Sequence, residues 1–199
     1  IKNDKIDKLI IKFLIDDNIF LDEDYKENLK KEYTGIYHTR FILGEFVRAE
    51  GVIFKNLAND PTPWLISKKD FEQKFRWVEV GFDLGGNGSA YALTATAEGF
   101  NGEYYVLKSE KTQAEKINIE DVEKLVNAFC ASVEKDYGCT IDFLNCDHIA
   151  AIINSINDHT SYRADLTYKP PLEDRPFAIS KLLANKQLHF VENKCDDLI

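Results

Sequence analysis

The chain has 199 residues, 44% of them hydrophobic, and a formal net charge of −9. That is enough for one full core and a small appendage, and it argues against a protein that holds nucleic acid through surface charge alone, since phosphate binding draws on clustered Lys and Arg. No apolar run reaches transmembrane length and the charged N-terminus lacks a signal-peptide pattern, which points to a soluble intracellular protein. The sequence contains no methionine, so a fragment of a longer protein is expected, whose site other residues complete. Cys130, Cys139, Cys146 and Cys195 show no CxxC pairing and are expected as small buried hydrophobes in a reducing compartment.

In chain order, Lys5–Phe20 reads as an amphipathic helix, with Ile6, Leu9, Ile10, Phe13 and Leu14 at helical spacing. A second helix starts near Asp22–Asp24, its acidic first turn and later Lys26, Lys30 and Lys31 suiting the helix dipole. Thr34-Gly35 breaks it, a third helix covers Ile36–Phe46, and Gly51–Phe54 is extended. Asn59–Pro63 is a dense turn signal and marks a boundary between a helical arm (residues 1–62) and a second unit (63–199).

From Trp77 the pattern becomes strand (Trp77–Leu84), strand (Ala90–Ala97), strand (Glu103–Lys108), with glycine turns between: a three-stranded antiparallel meander. A long helix follows over Ile119–Tyr137, with Asn118 as N-cap, Gly138 as left-handed stop, and a buried stripe of Val122, Leu125, Val126, Phe129 and Val133. Strand Thr140–Asn145, helix Ile149–Asn157, strand Ala164–Tyr168, helix Glu173–Asn185 and strand Gln187–Val191 complete a βββαβαβαβ order. That order predicts an α/β fold: a mixed sheet, three antiparallel strands and then parallel ones, with helices on its faces.

Asp83 ends the first of these strands and Asp147 the fourth. If those strands are parallel neighbours, both carboxylates emerge at one sheet edge, where ligands of α/β sheets collect. Adjacent carboxylates repel unless a cation lies between them, and hard oxygen donors select Mg2+ or Mn2+. Each residue has a plainer role beside this one: Asp83 as a turn former before Gly85-Gly86, Asp147 as an N-cap for the helix at Ile149. His148 reads as a surface or capping residue, and Glu173, Asp174 and Arg175 as the start of the last long helix. The glycines at 85, 86 and 88 form a weak phosphate signal. Lys26, Lys30, Lys31, Arg40, Lys55, Lys68, Lys69 and Lys74, with Phe71, Phe75 and Trp77, are a solvated face first and a DNA-backbone contact second.

Asp22–Ile53, with Tyr33-Thr34-Gly35 and Gly44-Glu45-Phe46-Val47-Arg48-Ala49-Glu50-Gly51, resembles the stretch that links the two halves of phage terminase large subunits. Val80–Gly86 resembles the first acidic motif of the terminase nuclease domain, and Leu144–Asp147 the second. The resemblance implies an RNase H-like fold and a two-metal DNA endonuclease that cuts concatemeric viral DNA, with Asp83 and Asp147 as catalytic metal ligands for Mg2+ or Mn2+. It implies double-stranded DNA, a terminase ATPase domain, the small terminase subunit and the portal as partners, in the cytoplasm of a bacterial host. It also implies a third metal-binding Asp after the final strand, expected beyond Ile199; Asp196 and Asp197, just after Cys195, do not match its position. Val80–Gly86 resembles, too, the first phosphate motif of sugar kinases and actin-like ATPases, but no glycine follows Gly138 to build their second phosphate loop. A non-catalytic motor-docking module is the remaining alternative.

Overall fold

The structure is a computed structural model that describes residues 11–33, 35–45, 53–68, 74–85, 90–113, 118–147, 149–171 and 174–198. Its frame is one seven-stranded mixed sheet in the order β1-β7-β4-β3-β2-β5-β6. The strands are β1 (Leu65–Ile66), β2 (Phe75–Asp83), β3 (Ala90–Gly99), β4 (Tyr104–Gln113), β5 (Phe143–Cys146), β6 (Ala164–Leu166) and β7 (Leu188–Val191). β2, β3 and β4 form the antiparallel meander, while β5 runs parallel to β2, β6 to β5, β7 to β4 and β1 to β7. This is the mixed sheet expected from the order of elements, and the RNase H-like arrangement that the resemblance implies, with one further edge strand, β1.

The long helix α4 (Ile119–Tyr137) forms where its signals place it. Asn118 accepts from the Asp121 backbone N–H at 2.9 Å, and Gly138 closes the helix at φ +60°. Val122, Val126, Phe129, Cys130 and Val133 are buried against Val78, Val80 and Phe82 of β2 and Leu93, Ala95 and Ala97 of β3. Each buried Val, Leu or Phe side chain among these contributes about 1.5–3 kcal/mol by leaving water. Tyr105 and Leu107 of β4 lie in this core too, and a bulge in β4, where the register with β3 shifts at Ala95/Thr96, sets Lys108 opposite Ala95. Beside α4 lies α5 (Ala150–His159). Asn157 binds Ala164 reciprocally, accepting from its N–H at 2.7 Å and donating to its carbonyl at 3.1 Å, which ties α5 to β6.

The opposite face carries a smaller core around Val106, Leu188 and Phe190, closed by Leu182 and Leu183 of α6 (Asp174–Ala184). Phe54 and Leu57, the latter on the short helix α3 (Lys55–Asn59), pack into it. The Trp64 indole donates to the Leu183 carbonyl at 2.8 Å. Earlier in the chain, α1 (Glu23–Glu32) is capped by Asp22, which accepts from the Asp24 N–H at 2.8 Å. One α-turn, α2 (Gly35–Tyr37), then passes into a π-turn (His38–Ile42) and ends at Gly44, φ +59°. This is shorter than the helix expected over 36–46, of which residue 46 lies outside the described residues. The rings of Tyr33 and Tyr37 stand 5.0 and 5.5 Å from that of Phe177 on α6, and Lys181 pairs with Glu32, so the arm rests on α6.

The helix expected over Lys5–Phe20 is not formed in its described part. Residues 11–20 hold only a 3-10 turn, Ile15–Asp17. Asp17 accepts from the Leu14 N–H at 2.8 Å and Asn18 from the Phe20 N–H at 3.1 Å. These short side chains satisfy the backbone locally, in competition with a helical ladder. Residues 1–10 lie outside the described residues, as do Gly51 and Val52 of the expected extended piece. Among the described residues, no helix is long and apolar enough to cross a membrane.

Candidate functional site

β5 is laid against β2 by Asp142, whose carboxylate accepts from the Val78 N–H at 2.8 Å while its own N–H donates to the Val78 carbonyl at 2.9 Å. From there the parallel register runs upward to the pair Phe82–Cys146. The Asp147 N–H donates to the Phe82 carbonyl at 3.2 Å, carrying the ladder one residue further. Asp83 and Asp147 therefore stand abreast at the carboxyl ends of neighbouring strands, whose spacing is about 4.8 Å. Phe82 and Cys146 are buried under α4 and α5, so alternation turns both carboxylates to the other face of the sheet. Asp83 is exposed there and Asp147 half-buried.

Below them on the same face, the Asn145 amide donates to the Glu79 carboxylate at 2.6 Å. Gly81 lies between Glu79 and Asp83 along β2, and a Cβ built on it meets only the Thr94 carbonyl oxygen, at 4.0 Å. The face beneath Asp83 is thus low and polar. The plainer role for Asp147 is not the one the structure gives it. The N-cap position of α5 belongs to Ile149, while the Asp147 carboxylate pairs with the ammonium of Lys169. Lys169 arrives on the loop between β6 and α6, which is fastened where the Thr167 N–H donates to the Cys146 carbonyl at 3.0 Å and Arg175 donates to the Pro170 carbonyl at 2.9 Å. Nothing in the sequence pattern pairs Lys169 with a residue 22 positions earlier; only the crossover from β5 to β6 does so.

Asp197 reaches the same end of the sheet. Its carboxylate accepts from the Lys111 N–H at 3.1 Å, and Lys111 faces Ala92, which in turn faces Asp83. It stands two strands away from Asp83. His148, Gly86, Gly88 and Glu173 lie outside the described residues; Asp174 opens α6.

The donor set is one of hard oxygens. The neighbouring thiol does not alter that, since burial pushes Cys146 up to about 11 and keeps it neutral. Cys130, on α4, is pushed up to about 12 for the same reason, and all four cysteines are free. Among the described residues no group of three or more His, Cys, Asp or Glu could hold a metal ion. The two carboxylates supply hard oxygen donors of the type that Mg2+ or Mn2+ takes, and the Lys169 ammonium is already seated against one of them.

Of the N-terminal basic residues, Lys26 pairs with Glu23 at 2.6 Å, Lys30 with Asp16 at 2.5 Å, Lys31 with Glu27 at 3.6 Å and Lys68 with Asp136 at 3.2 Å. Trp77 donates to Glu98 at 2.7 Å, and Phe75 packs against the main core. Lys69 and Phe71 lie outside the described residues.

No protein-family model matches the chain, and a comparison with curated proteins finds no match. Among solved structures, the chain is similar to the large terminase of a thermophilic bacteriophage, in one crystal form and in another holding ADP. Both give a TM-score of 0.70 at 20% identity, over 90% of this chain and 43% of that one. A weaker similarity is to the human cytomegalovirus terminase nuclease domain, soaked with manganese and inhibitor-bound: TM-score 0.45, 14% identity, over 72% of this chain and 77% of that one. The chain thus spans under half the length of the bacteriophage protein, and it has the fold of that part of a large terminase.

Proposed function

We propose that this chain is the metal-dependent endonuclease part of a viral DNA-packaging terminase large subunit. The observation that carries the reading is the pair Asp83–Asp147, abreast and on one face at the carboxyl ends of parallel strands. The fold shared with the thermophilic bacteriophage's large terminase supports it. Asp83 and Asp147 hold Mg2+ or Mn2+, two ions in the complete site. When bound, the metal supplies an activated water and neutralises charge on the departing 3′ oxygen. The chain's own part is to fix the two carboxylates through the β2–β5 register. It also keeps the face at Gly81 low enough for a DNA backbone to approach. No base-reading element is apparent in the sequence, so cleavage is independent of sequence. Residues 1–62 serve as the arm to an ATPase motor and 63–199 as the nuclease. The motor, the small subunit and the portal are the partners, and concatemeric double-stranded DNA in the bacterial host cytoplasm is the substrate.

Plasmid nicking in Mn2+ tests this. Asp83→Asn and Asp147→Asn are each expected to lower the rate by at least about 100-fold. Hydrolysis of nucleotide without any nicking, or nicking indifferent to both substitutions, overturns the reading.

A further inference from the structure

Asp147 already has a cation: the ammonium of Lys169, delivered by a loop anchored on both sides. The pair is half-open to solvent, the lysine side chain 42% and the aspartate 22% exposed. A contact of this kind contributes little to stability, because exposed ion pairs offset Coulomb gain with side-chain ordering and salt screening. It nevertheless matters for whatever else binds the carboxylate. An ammonium and a divalent cation are both drawn to Asp147, and two cations on one carboxylate repel.

We infer that Lys169 is a built-in counter-ion of the site: it neutralises Asp147 until a divalent cation arrives, and metal entry must displace it. This rests on the reading of Asp83 and Asp147 as a metal pair. Three observations support it. The ammonium lies on the carboxylate that the β2–β5 register sets beside Asp83. There it offsets the repulsion between two adjacent carboxylates, which raises the free energy of the site before metal enters. And the lysine comes from a different segment of chain than either aspartate, so it can withdraw without disturbing the register. Two prolines, Pro170 and Pro171, follow it and narrow the loop's range of return positions. Lys169 is therefore a positioning residue, acting through Asp147.

The test is Mn2+ binding by the whole chain, measured by calorimetric titration in the absence of DNA. Lys169→Met is expected to tighten binding roughly fivefold, the scale of an exposed ion pair, and Lys169→Arg to leave it near wild type. In an Asp147→Asn background, Lys169→Met should change the residual affinity by less than about twofold, because the competition runs through Asp147. Unaltered affinity in Lys169→Met, with Asp147→Asn still weakening binding, overturns the counter-ion and leaves the metal pair standing. A gain of equal size in both backgrounds overturns it too, since that is the effect of a general field. If Asp147→Asn binds Mn2+ like wild type, the metal pair fails and the counter-ion with it. Equal melting temperatures across the variants separate these outcomes from unfolding.

Discussion

The two faces of the sheet are built from the same strands, yet hold different chemistry. On one, Val78, Val80 and Phe82 of β2 meet the apolar stripe of α4, and every one of them is buried. On the other, the residues between them, Trp77, Glu79, Gly81 and Asp83, run from an aromatic end to an open carboxylate. Among the described residues, the β4–β7 side of this second face is closed by α6 and the segment around Leu57. The β2–β5 side carries Glu79, Asn145, Asp83 and Asp147. Strand alternation thus assigns stability to one set of residues and chemistry to the other, one position apart. A slip of one residue in β5 would bury Asp147 and expose Cys146, so a single register holds both.

Substitutions can break that division, the largest effect coming from the dry face. Phe129→Ala removes a buried ring under the Lys108 ammonium and is expected to cost about 3–5 kcal/mol in denaturant unfolding. Asp83→Asn, on the open face, should change unfolding by no more than about 0.5 kcal/mol while nicking collapses. Comparable stability losses from the two would erase the distinction. On the closed part of the open face, Trp64→Phe leaves the Leu183 carbonyl without its indole donor, and about 1 kcal/mol is expected from thermal melts.

Smaller still is Asp136, near the end of α4, which Lys194 and Lys68 flank at 2.9 and 3.2 Å. They hold its carboxyl below the usual carboxylate value. A carboxyl lowered on folding adds stability above its ordinary pKa and loses it as pH falls through the folded value. Asp136→Asn should therefore be less stable than wild type at neutral pH, by under about 1 kcal/mol, and the difference should vanish in acid. Smallest is the surface pair His159–Glu123, at 2.8 Å. The carboxylate raises the imidazole above its ordinary value, and hydrogen bonds from Ser155 and then His159 lower Glu123. What the raised histidine contributes is present below its ordinary pKa and lost as pH rises through the folded one, while the lowered glutamate's share is lost in acid. An NMR titration should show the His159 value falling in Glu123→Gln.

Much of this was legible where local chemistry and tertiary packing agree. Asn118 and Gly138 bound α4 because a cap and a left-handed stop act within one turn. The strand-end positions of Asp83 and Asp147 followed from period and turn residues. Their being parallel neighbours did not, since pairing is decided over about 60 residues of chain, the span of one long crossover. Residues 11–20 misled because helical spacing was present but Asp17 and Asn18 bind the backbone themselves. β1 has only two residues, too few for any alternation to be seen, and exists because β7 offers an unpaired edge. Nothing in the sequence marked Lys169 as a partner of Asp147; the β5–β6 crossover sets the two together.

That short edge strand has a mechanical meaning. β1 lies parallel to β7, pairing Leu65 with Phe190 and Ile66 with Val191, and comes directly after Trp64. A pull on the preceding segment along the strand axis loads the β1–β7 hydrogen bonds together, in shear, and the Trp64 indole with them. It does not unzip them one by one. Tension arriving through the arm would then be spread into the middle of the sheet by β7 and β4, and the β2–β5 register, on the far side of β3, would be among the last parts of the molecule to feel it.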